Sequence, residues 1–227
     1  MVEGVLTILL HGTPSFFTPQ GLGSSSTRRH SFSGGTPSTK ITEYWGGSIP
    51  WTTSAIISDD DVFLIKFQRT ISDKGLQNSS SKVAPKGSVI VGTRVGVGKA
   101  AVATFDIAIS QDLTALVLTE DISPLFLAYL FKSDSLKEEI AGRTRGTTIK
   151  GIPRKDLLNL FIPLPPLDEQ REIARMLQAV DEKIRAEEGR KAALEALFKT
   201  LLHDLMTAKR RLPAEFVARF KEGSLNE

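Results

Sequence analysis

The amino-acid sequence of 227 residues predicts an α+β fold, in which mixed strands form a globular part and a long coiled-coil helix follows near the C-terminus. Between residues 32 and 161, short apolar runs rich in β-branched and aromatic residues alternate with turn residues, without regular strand–helix–strand alternation. After residue 161, a proline-rich connector leads into apolar positions spaced alternately by three and four residues, which is the pattern of a coiled-coil seam. These two observations predict the fold class.

The first 30 residues differ in composition from the rest of the chain. A short apolar run at 5–10 precedes a stretch rich in Ser, Thr, Gly and Pro that ends at Arg28, Arg29 and His30. We interpret residues 1–30 as poorly ordered. A signal peptide is a weaker alternative, because Glu3 stands where such peptides carry positive charge and the apolar run is short.

The globular part, residues 31–161, contains four segments with the composition of strands. Gly96 and Gly98 are expected to turn the second segment into the third. Ser123 and Pro124 are expected to begin a helix that ends at residue 130 or 131, and a second helix is expected at 135–140. The strand candidates are residues 62–67, 88–95, 99–105 and 113–119.

Composition limits the classes of function. The net charge is only +3, which does not by itself argue for nucleic-acid binding. Cysteine is absent, which excludes disulfides and thiolate metal sites and favours a cytoplasmic location. The three histidines, His11, His30 and His203, are too scattered to predict a metal site. No apolar run approaches the ~20 residues that span a membrane, so no membrane partner is expected.

The distribution of charge is more informative than its sum. Residues 82–105 and 143–155 each contain several Lys or Arg and no acid, so they are candidates for one phosphate-facing surface, with solvated loops as the alternative. Arginine can grip guanine in bidentate fashion, lysine favours phosphates, and threonine hydroxyls reach phosphates or base edges. The candidate DNA-binding residues are Lys82, Arg94, Lys99, Arg143, Arg145, Thr147, Thr148 and Lys150.

No pattern in the sequence predicts catalysis. Residues 92–99, GTRVGVGK, fail as a phosphate-binding P-loop because Thr93 stands where glycine is needed and Ala100 where Ser or Thr is needed, so we interpret them as a hairpin turn. No cysteine nucleophile, catalytic triad or paired-carboxylate motif is recognisable, and the nucleotide loop and aromatic tetrapeptide of a DNA methyltransferase are missing. We therefore expect a binding protein rather than an enzyme. Trp45 and Trp51 are expected to serve in packing.

The connector, residues 162–167, and the helix after it are the clearest elements of the sequence. Pro163, Pro165 and Pro166 fix φ and lack N–H donors, so the connector is expected to be extended. Asp168 is expected to be the N-cap of a helix at 168–208, and a C-terminal tail, 209–227, follows. About 40 residues at ~1.5 Å each make a helix of about 60 Å.

The apolar seam of this helix has one gap, where Glu187 and Lys191 occupy the seam positions. Polar groups there lower the stability of a coiled coil but can determine its register and its partner. A single helix cannot bury its own seam, so it needs a partner helix from a second copy or from a different protein. The predicted interface residues are Ile173, Leu177, Val180, Ile184, Leu194, Phe198, Leu201 and Leu205.

Two segments closely resemble the specificity subunit of type I restriction-modification systems. They are residues 33–55, SGGTPSTKITEYWGGSIPWTTSA, and residues 151–177, GIPRKDLLNLFIPLPPLDEQREIARML. The resemblance implies that residues 31–161 form a target recognition domain for double-stranded DNA and that 168–208 form a spacer helix. It also implies that this chain is not an enzyme and holds no cofactor. In that family, methyltransferase (modification) subunits use S-adenosylmethionine, and the restriction subunit uses ATP and Mg²⁺.

A complete subunit of that family has two recognition domains and about twice this length. We therefore expect two copies to pair through the helical seam as a homodimer that reads two half-sites in opposite orientation. The alternative is a non-catalytic coiled-coil assembly adaptor whose globular domain binds protein rather than DNA.

Overall fold

A computed structural model describes residues 18–24, 27–146 and 150–223 of the chain. Within these residues there are eleven strands and six α-helices, and the α+β class with a long C-terminal helix is confirmed. The chain divides into a globular unit, which ends at Leu177, and a helical unit, which begins at Gln178.

The strands are short, from two to eight residues. In chain order they are β1 (Thr18–Gly21), β2 (Arg28–Ser33), β3 (Trp45–Thr52), β4 (Phe63–Leu64), β5 (Arg69–Ile71), β6 (Lys82–Ala84), β7 (Val89–Gly92), β8 (Ala100–Ala103), β9 (Ile107–Ile109), β10 (Leu113–Leu118) and β11 (Phe161–Leu164).

These strands form three sheets. β1 and β11 make an antiparallel pair. The five-stranded sheet has the order β2-β10-β7-β8-β4 and is antiparallel except for β4 and β8. The four-stranded sheet has the order β5-β3-β9-β6 and is antiparallel except for β3 and β9. Mixed pairing without repeated strand–helix–strand units is what separates this fold from a doubly wound sheet.

The four strands expected from the sequence are confirmed as β4, β7, β8 and β10. Gly96 and Gly98, with φ of +62° and +86°, turn β7 into β8 as expected, because glycine adopts such angles without a steric penalty. Residues 18–21 and 28–30 lie in β1 and β2, so the expectation that 1–30 is poorly ordered is wrong for them. Residues 1–17, 25 and 26 lie outside the described residues.

The helices are α1 (Asp73–Gln77), α2 (Pro124–Leu130), α3 (Asp134–Arg143), α4 (Arg154–Leu158), α5 (Leu167–Met206) and α6 (Ala214–Gly223). Serine caps explain where α1, α2 and α3 begin, since a serine oxygen satisfies an unpaired N–H of the first turn. Ser72 accepts from Gly75 N at 3.1 Å at the start of α1. Ser123 accepts from Phe126 N at 3.4 Å and precedes Pro124, while Ser133 accepts from Leu136 N at 3.4 Å. Both helices expected in this region, α2 and α3, are confirmed.

The five-stranded sheet separates two hydrophobic clusters. Val89 and Val91 of β7 contact the first cluster, which includes α2, and Ile90 contacts the second, because successive side chains of a strand point to opposite faces. The second cluster joins this sheet to the four-stranded sheet through Ile107 and Ile109. β7 is therefore a central strand, buried on both faces.

The two tryptophans pack together beside the four-stranded sheet. Trp51 is buried, and its Nε1 donates to the Gly35 carbonyl at 3.1 Å. The Trp45 ring meets it edge to face, with centroids 5.3 Å apart. Both residues serve in packing, as the sequence predicts.

The start of α5 differs from the expectation by one residue. The helix begins at Leu167, so Asp168 is its second residue and not its N-cap. Asp168 instead forms an exposed ion pair with Arg171 at 3.5 Å, still in the first turn where the helix dipole favours an acid.

Gln170 attaches the first turn of α5 to the globular unit. Its side chain is buried, its Oε1 accepts from Ser123 N at 2.9 Å, and its Nε2 donates to the carbonyls of Asp121 and Pro165 at 3.0 and 2.9 Å. Every donor and at least one acceptor site of this buried amide is therefore used, which is the condition for burying it without loss of stability.

Ile173 and Leu177 correct the predicted interface. They are only 6% and 3% exposed and belong to the hydrophobic cluster that contains α2. Their side chains are covered by the globular unit itself. The part of the seam that is open to a partner begins at Val180, which is 41% exposed.

In the helical unit, α5 continues to Met206, and Ala208 adopts a φ of +57°, a left-handed conformation common just beyond a helix end. The segment expected to be a C-terminal tail contains α6. Along the described part of the chain, none of the helices combines the length and the apolar character needed to cross a bilayer.

Candidate nucleic-acid interface

An open groove of about 750 Å³ lies at one end of the five-stranded sheet in the globular unit, and we call it the arginine groove. Three arginines line it: Arg94 follows β7, Arg145 follows α3, and Arg154 begins α4. Its other polar lining consists of Ser33, Thr93, Gln111 and Thr114. No Asp or Glu is among the lining residues, so the groove is set to attract anions.

Backbone hydrogen bonds bring the two basic stretches of the sequence to this groove. Arg145 and Gly151 exchange N–H···O bonds of 2.8 Å in both directions, which closes a small hairpin. The next residue, Ile152, donates its N–H to the Thr93 carbonyl at 2.8 Å, directly beside Arg94. Arg94 and Arg145 therefore line one surface although 51 positions separate their numbers in the chain.

Residue 151 must be a glycine at this junction, because there is no room for a side chain. A Cβ added to it would lie 2.9 Å from the Thr93 carbonyl oxygen, closer than carbon and oxygen approach in proteins. The hairpin can therefore rest on the end of β7 only because residue 151 lacks a side chain.

Asp112 organises the chain beneath the groove. Its carboxylate accepts hydrogen bonds from Ser54 N at 2.9 Å and from the hydroxyls of Ser54 and Ser110, and its backbone carbonyl accepts from Thr93 N at 2.8 Å. Burial by itself raises the pKa of this carboxyl group, but the hydrogen bonds from Ser110 and Ser54 outweigh burial and leave the pKa below its usual value. Asp112 therefore joins the ends of β3 and β9 through its carboxylate and the end of β7 through its backbone carbonyl.

The floor of the groove carries short polar side chains with fixed positions. The hydroxyls of Ser33 and Thr114 lie 3.1 Å apart across the β2–β10 pair. Gln111, in the turn before β10, accepts from the Thr36 hydroxyl through Oε1 at 2.6 Å, which leaves its Nε2 group as the available donor. Hydroxyl and amide groups of this kind can hydrogen-bond to base edges or phosphates.

The two arginines of the hairpin region have different surroundings. Arg145 is 76% exposed and forms an ion pair with Asp156 at 3.3 Å. Arg143 pairs with Glu139 at 2.5 Å and donates to the carbonyls of Asp156 and Asn159 at 3.3 and 3.0 Å. The contacts of Arg143 hold the end of α4, so this residue has a structural role in addition to any role at the surface.

A second open groove, of about 830 Å³, lies beside the first, and we call it the Arg28 groove. Its basic lining residues are Arg28, Arg143, Arg154 and Lys155, and Arg154 lines both grooves. The Nε of Arg28 is buried and has no hydrogen-bond partner among the described residues.

The remaining predicted residues lie elsewhere. Lys99 forms an ion pair with Asp59 at 2.7 Å, and the Lys82 ammonium lies 5.9 Å from the centre of the Phe32 ring. Neither these two lysines nor Lys150 lines either groove. Thr147 and Thr148 lie outside the described residues.

Sequence reasoning missed several residues that line the grooves. Arg154 and Lys155 belong to the acid-free stretch 143–155, so the same charge pattern could have identified them as candidates. The other groove residues carry no signal in the sequence, because only the pairing of β2 with β10 and the contacts of Asp112 bring them to the grooves. They are Arg28, Ser33, Gln111 and Thr114. Among the described residues, no group of three His, Asp or Glu side chains is placed to hold a metal ion.

Comparison with known proteins gives consistent matches. Residues 30–196 match the family described as "Type I restriction modification DNA specificity domain". The type I restriction enzyme MjaIX specificity subunit of Methanocaldococcus jannaschii is 30% identical over 165 residues, which are 72% of this chain and 38% of that protein. The EcoR124I/EcoR124II specificity subunit of Escherichia coli is 27% identical over 158 residues, 66% of this chain and 38% of that protein.

Solved structures match over most of this chain. A chain from a study of complex assembly and conformational transition of the type I R-M system has a TM-score of 0.65 and 26% identity, covering 88% of this chain and 49% of its own length. The HsdS subunit from Thermoanaerobacter tengcongensis shares the fold, with a TM-score of 0.61 and 24% identity over 89% of this chain and 50% of its own. The chain therefore spans about half the length of these solved proteins.

Proposed function

The chain belongs to the family of type I restriction-modification DNA specificity domains, and we propose that its globular unit binds double-stranded DNA and recognises a specific sequence. The observation that carries this proposal is the convergence of Arg94, Arg145 and Arg154 on one groove with a polar floor and no acidic lining residue. Phosphate contacts supply affinity, while side chains that reach base edges supply sequence preference.

The groove contains groups for both tasks. Arg94 and Arg145 are long cationic side chains that can bind phosphates or the N7 and O6 acceptors of guanine. Gln111, with Oε1 engaged by Thr36, presents an N–H donor, which suits acceptor atoms on bases. We propose that the arginines supply affinity and recognise guanine, and that the polar side chains of the groove floor distinguish among the other bases.

The Arg28 groove extends the same basic surface. Arg154 is shared by the two grooves, so a single anionic backbone could follow from one to the other. Arg28, which lines this groove, supplies a guanidinium for a phosphate oxygen along this path. Binding through several such contacts would fall steeply with salt concentration.

The DNA-bound chain would direct partner subunits rather than act on DNA itself. The relatives are named as specificity subunits of type I restriction enzymes. We propose that methyltransferase subunits, with S-adenosylmethionine, and a restriction subunit, with ATP and Mg²⁺, supply the chemistry, and that this chain contributes none of it.

We further propose that the chain self-associates through α5. Val180, Ile184, Leu194 and Phe198 are between 41% and 65% exposed on this helix. Apolar side chains repeated at seam spacing and left in water are stabilised by a facing helix. Two copies would present two globular units, and thus two half-sites, to DNA.

Selection from a randomised duplex library tests the DNA proposal directly. The purified chain, with and without modification subunits, is expected to enrich a defined motif and to bind it less tightly as salt is raised. A chain that enriches no motif in either condition contradicts sequence recognition. Binding only to protein partners would then support the adaptor alternative.

Mapping of methylated adenines in cells tests the directing role. Deletion of the chain is expected to remove one methylated motif while leaving others unchanged. An unchanged motif set in cells that contain the modification subunits contradicts that role.

A further inference from the structure

One hydrogen bond determines how Gln111 presents its amide to the arginine groove. The Thr36 hydroxyl donates to Gln111 Oε1 at 2.6 Å, across a separation of 75 residues in the chain. Both side chains are exposed, and Gln111 lines the groove. Within residues 18–24, 27–146 and 150–223, none accepts a hydrogen bond from Gln111 Nε2, so its N–H groups are available to a ligand.

We propose that Thr36 is a positioning residue for sequence recognition, which holds the Gln111 amide so that its nitrogen, and not its oxygen, meets the base edges. An amide accepts through its oxygen and donates through its NH₂ group, and a half-turn about its last bond exchanges the two. The orientation therefore decides whether Gln111 selects acceptors, such as adenine N7 or thymine O4, or a donor such as the cytosine amino group. The proposal deepens the DNA recognition proposed above and rests on it.

The positive charge of the groove is the reason that the amide needs such a hydrogen bond. The groove is lined by Arg94, Arg145 and Arg154 and by no Asp or Glu. An amide oxygen without a partner would be attracted to these side chains, because each guanidinium offers several N–H donors and a full positive charge. Thr36 is not a lining residue, and its hydroxyl competes with the arginines for the oxygen.

The backbone before Thr36 is fixed by contacts with the end of β9. Gly35 N donates to the Ile109 carbonyl at 3.0 Å, and the Gly35 carbonyl accepts from the buried Trp51 through Nε1 at 3.1 Å. A Cβ added to Gly34 would overlap the Ile109 carbonyl oxygen, so this close approach requires glycine. Thr36 therefore follows directly after a segment that is packed against β9.

The turn that carries Gln111 is fixed on both sides. Ser110, the residue before it, is fully buried, and its N–H donates to the Thr52 carbonyl at 3.0 Å. Asp112, the residue after it, accepts from Ser54 N through its carboxylate at 2.9 Å. The Gln111 side chain is then the mobile part of the turn, and the hydrogen bond at Oε1 orders it before DNA binds. Ordering in advance lowers the entropic cost of recognition.

Selection from a randomised duplex library, applied to variants of the full chain, tests the role of Thr36. Gln111→Ala is expected to lose its preference at one base pair of the wild-type motif, which locates the base pair that Gln111 contacts. Thr36→Val removes the hydroxyl but keeps the shape of the side chain. It is expected to lower the preference at that same base pair at least ~5-fold and to leave the other positions unchanged.

Two further variants separate the hydroxyl from other effects. Thr36→Ser keeps the hydroxyl and is expected to keep the wild-type preference, whereas a loss equal to that of Thr36→Val would assign the effect to packing and overturn the proposal. Thr53→Val is the matched control, because Thr53 donates to Gln68 Oε1 at 2.8 Å in an exposed pair that lines neither groove. It is expected to select the wild-type motif, and an altered motif would overturn the assignment to Thr36.

Two other results would overturn the role of Thr36 and leave DNA recognition by the chain in place. One is a Thr36→Val chain that selects the wild-type motif, or that loses preference equally at every position. The other is a Gln111→Ala chain that selects the wild-type motif, because Gln111 would then contact no base. A wild-type chain that enriches no motif in any condition instead contradicts the proposed function itself, and the role of Thr36 with it.

Discussion

The Asp112 carboxylate accepts a hydrogen bond from the backbone N–H of Ser54 at 2.9 Å, across a separation of 58 residues. The Ser54 hydroxyl donates to the same oxygen, and Ser110 donates to the other one. Because Thr93 is bonded to the Asp112 carbonyl, this contact connects the interior of the globular unit to the residue beside Arg94. The carboxylate thus supports the floor of the arginine groove without being part of its surface.

Replacement of Asp112 by Asn is expected to lower the free energy of unfolding of the globular unit by about 2 kcal/mol, because hydrogen bonds to a charged acceptor are lost. Chemical denaturation monitored by tryptophan fluorescence measures the change. Glu138→Gln is the control, since Glu138 is exposed on α3. An equal effect of both substitutions would show that the loss of one negative charge, and not the Asp112 contacts, is responsible.

The stability contributed by Asp112 is expected to depend on pH. The pKa of its carboxyl group is lowered in the folded chain, so the contribution is complete above the unfolded pKa of about 3.9 and is lost as pH falls through the folded pKa. The difference in unfolding free energy between wild type and Asp112→Asn should therefore be constant near neutral pH and shrink below about pH 4. A difference that grows on acidification contradicts the lowered pKa.

Replacement of Gln170 by Ala is expected to lower the unfolding free energy by about 2 to 4 kcal/mol, because Ser123 N and two carbonyls lose their buried partner. Thermal and urea unfolding measure the loss. Gln178→Ala, on the same helix, removes only an exposed contact with Glu182 and should change stability by less than ~0.5 kcal/mol. Similar losses in both variants would mean that helix propensity, rather than the buried amide, is being measured.

Replacement of Gly151 by Ala is expected to displace the hairpin from Thr93 and to weaken DNA binding, with a stability loss of about 1 to 3 kcal/mol from the backbone clash. Gly142→Ala is the matched control, because nothing lies within 4 Å of the Cβ it would add in α3. That variant should be unchanged or slightly more stable, since alanine is the better helix former. Calorimetry and DNA titration on both variants separate the two effects.

Arg94→Ala and Arg145→Ala are each expected to weaken binding to the selected DNA at least ~10-fold. If an arginine contacts phosphate, its loss also lowers the slope of log affinity against log salt by about 1, whereas loss of a guanine contact relaxes sequence preference. Anisotropy titrations at several salt concentrations distinguish the two. Arg175→Ala, which removes an exposed arginine of α5 paired with Glu172, is the control and should bind normally.

Arg143→Ala is expected to behave differently from these two arginine variants. Its contacts with Glu139 and with the carbonyls at the end of α4 hold the structure, so its removal should lower thermal stability as well as DNA affinity. A variant with lower affinity and unchanged stability would assign Arg143 to the DNA surface alone.

The sequence predicted the parts of the fold whose signal is local. The hairpin glycines, Ser123 with Pro124 at a helix start, and the apolar spacing of α5 each depend on neighbours a few residues away, and the elements they predict are present. The strands it missed, such as β3 with the sequence WGGSIPWT, contain residues that strands disfavour and exist because partner strands supply their hydrogen bonds.

The candidate site likewise has a part that the sequence predicts and a part that it does not. Charge patterning by itself identified Arg94 and Arg145 as members of two acid-free stretches, because charge is a property of each residue type. Only the tertiary structure decided that these two line one groove, that Lys99 is held by Asp59, and that Ile173 and Leu177 belong to the core. All three outcomes depend on contacts between residues that are far apart in the chain. The spacing of residues along the chain does not show which of them will come into contact.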